Sequence, residues 1–202
     1  MKILAVVLAL ALWYLSQWWL SRFRGNLPPN YDAIHEWTKN LNTYFASHRK
    51  SCNALLITSS LIIDSLVLFI IAISIWGPSF RPFVALVVLF LFRQISQGLV
   101  TLPIPKGNLW YYPGFPSLMV TYGISNDLFF SGHTALAVLG GLELMHLGYF
   151  PLKVLAVFIV VYQALVVLIL RAHWTADVIC GYFAAVSVYL SSFYFSEIGW
   201  RF

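Results

Sequence analysis

Leu152-Lys153-Val154-Leu155-Ala156-Val157-Phe158-Ile159-Val160-Val161-Tyr162-Gln163-Ala164-Leu165-Val166-Val167-Leu168-Ile169-Leu170 carries one charge in nineteen residues, and it breaks abruptly at Arg171-Ala172-His173-Trp174-Thr175-Ala176-Asp177. At 1.5 Å rise per residue such a run crosses the roughly 30 Å hydrocarbon core of a bilayer as a single helix. Working outward, comparable apolar runs lie near 3 to 20, 54 to 76, 83 to 100, 128 to 148 and 175 to 195. Together these six runs predict an all-α, polytopic membrane protein with six transmembrane helices. The composition agrees. Of 202 residues 60% are apolar and 9% charged, against about 25% charged in soluble domains. Seven acids and twelve bases cannot cover the surface of a 22.9 kDa soluble protein. The net charge of +5 does not point to nucleic acid, because the bases are scattered and form no stripe.

The whole chain, 1–202, reads as a single membrane domain, in which residues 1–53 hold the first span and a hydrophilic interfacial segment. The first run follows Lys2 and has Trp13, Trp18 and Trp19 where a signal peptide would place small residues, so it reads as a retained span. Residues 21–53 contain five bases and suit either an interfacial helix around Asp32 to Ala46 or a solvated loop. The connection Thr101 to Asp127 carries Pro103, Pro105, Pro113 and Pro116, and is expected to be irregular, semi-rigid and interfacial. Trp110, Tyr111, Tyr112 and Trp174 suit anchors at the lipid–water boundary, with a cation-π cage for an ammonium group as the alternative. Cys52 and Cys180 read as packing residues, and no metal cluster or cofactor motif is visible.

Two histidines stand apart from the rest. His133 opens the fourth span within Leu128-Phe129-Phe130-Ser131-Gly132-His133-Thr134, and His173 precedes the sixth. Forty residues is one span out and one span back, so both reach the same membrane face. Asp177 follows His173 by four residues, which on a helix places the two side chains on one face. A carboxylate there can hold one imidazole nitrogen protonated and leave the other as a nucleophile. His133 suits the general acid and base. Ser131, the backbone of Gly132 and the start of the helix suit phosphate oxygens. Arg93 and Arg171 supply positive charge for a phosphoryl group. Arg93 sits about 10 Å deep in its span, where a lone charge is costly, and Asp64 is the candidate partner. His35, His48 and His146 have no such context and read as surface; Glu143 suits a bond within the bundle.

At these residues the sequence resembles the type-2 phosphatidic acid phosphatase superfamily, built on a His/His/Asp triad. Ser-Gly-His stands at 131–133 and His-x-x-x-Asp at 173–177. The phosphatase branch fits poorly, because Arg81-Pro82 lacks its upstream lysine and Val166-Val167 stands where Ser-Arg is expected. The segment Arg93-Gln94-Ile95-Ser96-Gln97-Gly98-Leu99-Val100-Thr101-Leu102-Pro103-Ile104-Pro105 is similar instead to the sphingomyelin synthase branch and its plant relative, phosphatidylcholine:diacylglycerol cholinephosphotransferase. Leu-Phe-Phe-Ser-Gly-His and Arg-x-His-(aromatic)-Thr-x-Asp look most like the plant-type enzyme. The resemblance implies a catalytic phosphotransferase core over 81–190, a His133, His173 and Asp177 triad, and no metal or cofactor. It also implies a phospholipid donor and a lipid-hydroxyl acceptor, diacylglycerol or ceramide, with transfer through a phosphohistidine.

A lipid phosphate phosphatase and a non-catalytic lipid binder are the competing readings; a binder has no need of Asp177 behind His173. The charge count leaves four bases on the terminal side and seven opposite, which would put the termini outside. The resemblance suggests a lumenal or exoplasmic site, in the endoplasmic reticulum or Golgi if the source is eukaryotic.

Overall fold

A computed structural model of the chain describes residues 2–24, 27–120, 122 and 128–197. The helices among them, in chain order, are α1 (Lys2–Arg24), α2 (Ala33–Trp37), α3 (Lys39–Ser47), α4 (Arg49–Trp76), α5 (Arg81–Leu99), α6 (Gly132–His146), α7 (Phe150–Ile169) and α8 (Thr175–Glu197). Two compact units result, Met1–Ala33 and Ile34–Phe202. In the first, α1 spans 23 residues, about 35 Å, with its large apolar side chains exposed along its length and Arg22 lying 4.1 Å over the Trp18 ring.

Within the second unit α4, α5, α7 and α8 are long and apolar enough to cross a membrane. The protein is therefore all-α and membrane-embedded, with four such spans among the described residues. The stretch read as a span over 128 to 148 forms a shorter helix: α6 has 15 residues, about 22 Å, and Leu128–Ser131 ahead of it is not helical, with Leu128, Phe130 and Ser131 buried. Its core position compensates for its length. Every residue from Thr134 to Gly141 is buried, and α6 packs against α4, α5, α7 and α8. This is the all-round apolar pattern of a central helix rather than an amphipathic one.

Where polar groups enter the bundle they find each other, as lipid and a dry core require. Ser59 Oγ donates to Gln163 Oε1 at 2.6 Å, and Gln163 Nε2 donates back to the Ser59 carbonyl at 2.9 Å. At the end of the bundle where α5 begins, Arg81 meets Glu143 in a bidentate pair at 2.9 and 2.6 Å and also donates to Ser192 Oγ at 3.0 Å. The bond expected of Glu143 within the bundle thus forms.

The connection from α5 to α6 is irregular, but it does not stay at the surface. Tyr111 Oη donates to Asn53 Oδ1, Tyr122 pairs with Ser60, and Ser117 Oγ donates to Asp64. From Asn53 to Asp64 is about 16 Å along α4, so the connection descends beside that helix. Irregular backbone at such depth needs acceptors inside the protein. Asp64 supplies them, taking the backbone N–H groups of Leu118 and Met119 at 2.9 and 3.0 Å. The expected Asp64–Arg93 ion pair is replaced by this arrangement, because three donors on the connection, the Ser117 hydroxyl and the Leu118 and Met119 N–H groups, converge on the same carboxylate. Thr121 and residues 123–127 of the expected Thr101–Asp127 connection lie outside the described residues, as does Arg201.

Candidate active site

The turn between α7 and α8 carries the first cluster. Asp177 is the third residue of α8, and its Oδ2 accepts from the backbone N–H of Trp174, just ahead of the helix, at 3.1 Å. An acid at this position reaching back is one arm of a capping box, and negative charge suits a helix start. The same Oδ2 accepts from His173 Nδ1 at 3.3 Å. Both residues are buried, Asp177 completely. With the proton on Nδ1, the lone pair of His173 lies on Nε2, the nitrogen free for attack. Asp177 Oδ1 is buried with no hydrogen-bond partner.

The start of α6 meets this turn directly. Ser131 is the N-cap of α6, its Oγ accepting from the Thr134 N–H at 3.3 Å and pairing with Thr134 Oγ1 at 3.0 Å. Its own N–H donates to the Asp177 carbonyl at 3.1 Å. The close approach depends on Gly181 in α8, where a Cβ would lie 2.6 Å from the Ser131 carbonyl oxygen. His133 comes next, within electrostatic range of His173 and Arg93. Its Nε2 is buried without a hydrogen-bond partner, and the Trp110 ring packs edge-on against it at 4.7 Å. Arg93 reaches over the first turn of α6, its Nε 3.0 Å from where a Cβ on Gly132 would stand. A side chain at 132 would displace that guanidinium.

His133, His173, Asp177, Arg93, Ser131 and Gly132 are thus brought together. Arg171 stands differently. Its Nη1 donates to the Lys106 carbonyl at 3.0 Å and its Nη2 to the His35 carbonyl at 2.9 Å. Its φ of 54° is left-handed, a conformation that costs a non-glycine residue on the order of 1–2 kcal/mol. Charge-assisted bonds to the two carbonyls offset that strain. Trp174 Nε1 donates to the Pro103 carbonyl at 2.8 Å, and Trp110 stacks on Tyr122 at 5.6 Å. Both rings hold the descending connection against the site, whichever surface they also face.

His35 and Asn42 were not visible as site neighbours in the sequence. The segment read as either one interfacial helix or a solvated loop forms the short α2 and α3, and both residues are buried. His35 Nε2 donates to the His173 carbonyl at 3.0 Å, so the surface reading of His35 is corrected. Asn42 Nδ2 donates to the carbonyls of Gly107 and Ile169. The one sequence signal for them was an apolar-aromatic periodicity too short to distinguish a membrane surface from a protein surface.

The order of these elements places a His/Asp pair at one helix start beside a second histidine at another, under a partly buried arginine. A family model described as AtPDCT1/2, the phosphatidylcholine:diacylglycerol cholinephosphotransferases, matches residues 31–192. The chain belongs to this family. As a member of the phosphatidylcholine:diacylglycerol cholinephosphotransferase family it is a membrane phosphotransferase, moving the phosphocholine head group between phosphatidylcholine and a lipid hydroxyl, diacylglycerol or ceramide. The match begins just before α2, so α2 and α3 belong to the matched region and α1 lies outside it. No curated protein and no solved structure matches the chain.

Proposed function

We propose that His173 is the nucleophile of this transfer and His133 its general acid and base. The observation that carries the reading is the buried His173–Asp177 pair at 3.3 Å beside a second histidine whose Nε2 has no protein partner. In the first step His173 Nε2 attacks the phosphorus of the phosphatidylcholine head group. The bond from phosphorus to the glycerol oxygen breaks, and protonated His133 gives that oxygen its proton, releasing diacylglycerol. In the second step His133 removes the proton from the acceptor hydroxyl, which attacks the phosphohistidine and regenerates His173. Arg93 and the free N–H groups at the start of α6 stabilise charge on the phosphoryl oxygens, and Asp177 stabilises the imidazolium that develops on His173.

We further read α1 and α6 as the remaining two of six spans. α1 has the length for it, and the non-helical Leu128–Ser131, with Leu128, Phe130 and Ser131 buried, leads into α6. Chain parity then places both histidines on one face, read as lumenal, in the endoplasmic reticulum or Golgi if the source is eukaryotic.

The deciding assay supplies phosphatidylcholine labelled in the head group, with unlabelled diacylglycerol and ceramide, to the purified protein. Label is expected in a lipid product, and the identity of that product fixes the acceptor. His173→Ala should lower the rate by about 10³-fold or more without altering membrane insertion, the scale seen when a covalent nucleophile is removed. Retained transfer in purified His173→Ala would overturn the assignment, and label appearing in water-soluble product would make the protein a hydrolase.

A further inference from the structure

We infer that His35 and Arg171 are positioning residues, forming a clasp through which α2 fixes the orientation of the nucleophilic histidine. This rests on the reading of His173 as nucleophile. His35 comes from a segment 138 residues away in the chain, yet it is 3% exposed and donates from Nε2 to the His173 carbonyl at 3.0 Å. Its own carbonyl accepts from Arg171 Nη2 at 2.9 Å. The contact is therefore reciprocal: α2 holds residue 173 by its carbonyl, and residue 171 holds α2. The His35 ring lies 5.3 Å from the Trp174 ring, so the residue after the nucleophile is packed by the same side chain.

The geometry explains why a clasp is needed. The N–H groups from Leu170 to His173 bond back to carbonyls of the last turn of α7, but the carbonyl side of the turn has no such helix bonds to α8 until Trp174, and Arg171 within it has a left-handed backbone. If the turn relaxed to an ordinary backbone, the peptide planes on either side of residue 171 would rotate and carry the imidazole away from Asp177. Arg171 Nη1 is bonded to the Lys106 carbonyl, and the adjoining Leu170 carbonyl accepts from the Leu109 N–H at 2.8 Å. The turn is thus gripped from α2 on one side and from the α5–α6 connection on the other. Both terminal nitrogens of Arg171 are engaged with backbone, which assigns it to the clasp and leaves phosphate binding to Arg93 and the start of α6.

The test uses the full chain, purified in detergent and separated by size exclusion so that rates refer to folded protein. His35→Phe removes the donor and keeps an aromatic ring; His35→Gln keeps a donor near the position of Nε2; Arg171→Lys keeps the charge and loses the fork. With labelled phosphatidylcholine as donor, His35→Phe is expected to lower kcat by about 10- to 100-fold, the scale of a misplacement near 1 Å. KM for phosphatidylcholine should stay within about twofold, since uniform binding is untouched. His35→Gln should recover kcat to within about threefold of the parent. Arg171→Lys should resemble His35→Phe.

An unchanged kcat in His35→Phe overturns the clasp. A raised KM with unchanged kcat in Arg171→Lys also overturns it and moves Arg171 to the phosphate. If His35→Phe yields no folded protein, His35→Gln decides: recovery of folding and rate supports the clasp, and a folded His35→Gln as slow as Arg171→Lys overturns it, as does failure of His35→Gln to fold. His173→Ala is run alongside. Activity there would sink the nucleophile assignment, a result separate from any outcome at His35.

Discussion

The bundle has buried charge at both ends, and the two clusters are built to different standards. At one end Arg81 and Glu143 use both carboxylate oxygens, Ser192 accepts a further bond, and the Phe193 ring lies 4.0 Å under the guanidinium. Nothing in Glu143 is left over. At the other end the Asp177 carboxylate uses one oxygen and leaves Oδ1 without a partner, and His133 Nε2 is likewise unpaired. Buried polar atoms without partners are rare because each costs about 1–3 kcal/mol. A saturated cluster holds helices together; one with unpartnered buried atoms fits the proposed transfer chemistry. The difference gives a rule for sorting the carboxylates of a lipid-embedded protein whose charged residues are few: a saturated one fits structure, and an unsaturated one fits the proposed chemistry.

That contrast can be broken by experiment. The largest effect is expected at the unsaturated end: Asp177→Asn should cut kcat by about 10²–10⁴-fold, because an amide no longer stabilises the imidazolium or fixes its tautomer. Its melting temperature should hold or rise, since a buried carboxylate with a bare oxygen has been removed; a fall of many degrees would make Asp177 structural. Glu143→Ala should do the reverse, costing about 3–5 kcal/mol of stability by leaving Arg81 charged and buried, while the folded fraction keeps its kcat. Replacing both partners together by methionine should recover much of that loss, as measured by thermal unfolding in detergent. If Glu143→Ala instead abolished turnover with stability intact, the sorting rule would fail here. The smallest effect is expected at Ser131→Ala, about 1 kcal/mol from the lost N-cap, with a few-fold loss of rate because the start of α6 frays beside His133.

Much of this was legible in the linear chain. The helix from Phe150 to Ile169 and its neighbours follow from uninterrupted apolar runs, which lipid alone selects. The Ser-Gly-His and His-x-x-x-Asp signatures survive in sequence because their geometry is local: an N-cap, a first turn, an i to i+4 pair. The Asp64–Arg93 pairing was not legible. Charge and depth made the two equivalent partners on paper, but a carboxylate accepts whichever donors are nearest, and the backbone of Leu118 and Met119 reaches it. His35 was invisible for a related reason. A histidine in a polar, aromatic segment has the same pattern whether its face is wetted, bound to lipid headgroups or packed on a turn 138 residues distant.

The sequence by itself determined the solvent, the long apolar helices and the local Ser-Gly-His and His-x-x-x-Asp signatures, because hydrophobic periodicity and short-range capping act within a few residues. Only the tertiary structure decided that α6 is short and central, that the α5–α6 connection descends along α4, and that Arg171 grips backbone. Those outcomes depend on which donors and acceptors meet once the helices pack, and buried backbone groups must find partners wherever in the chain these lie.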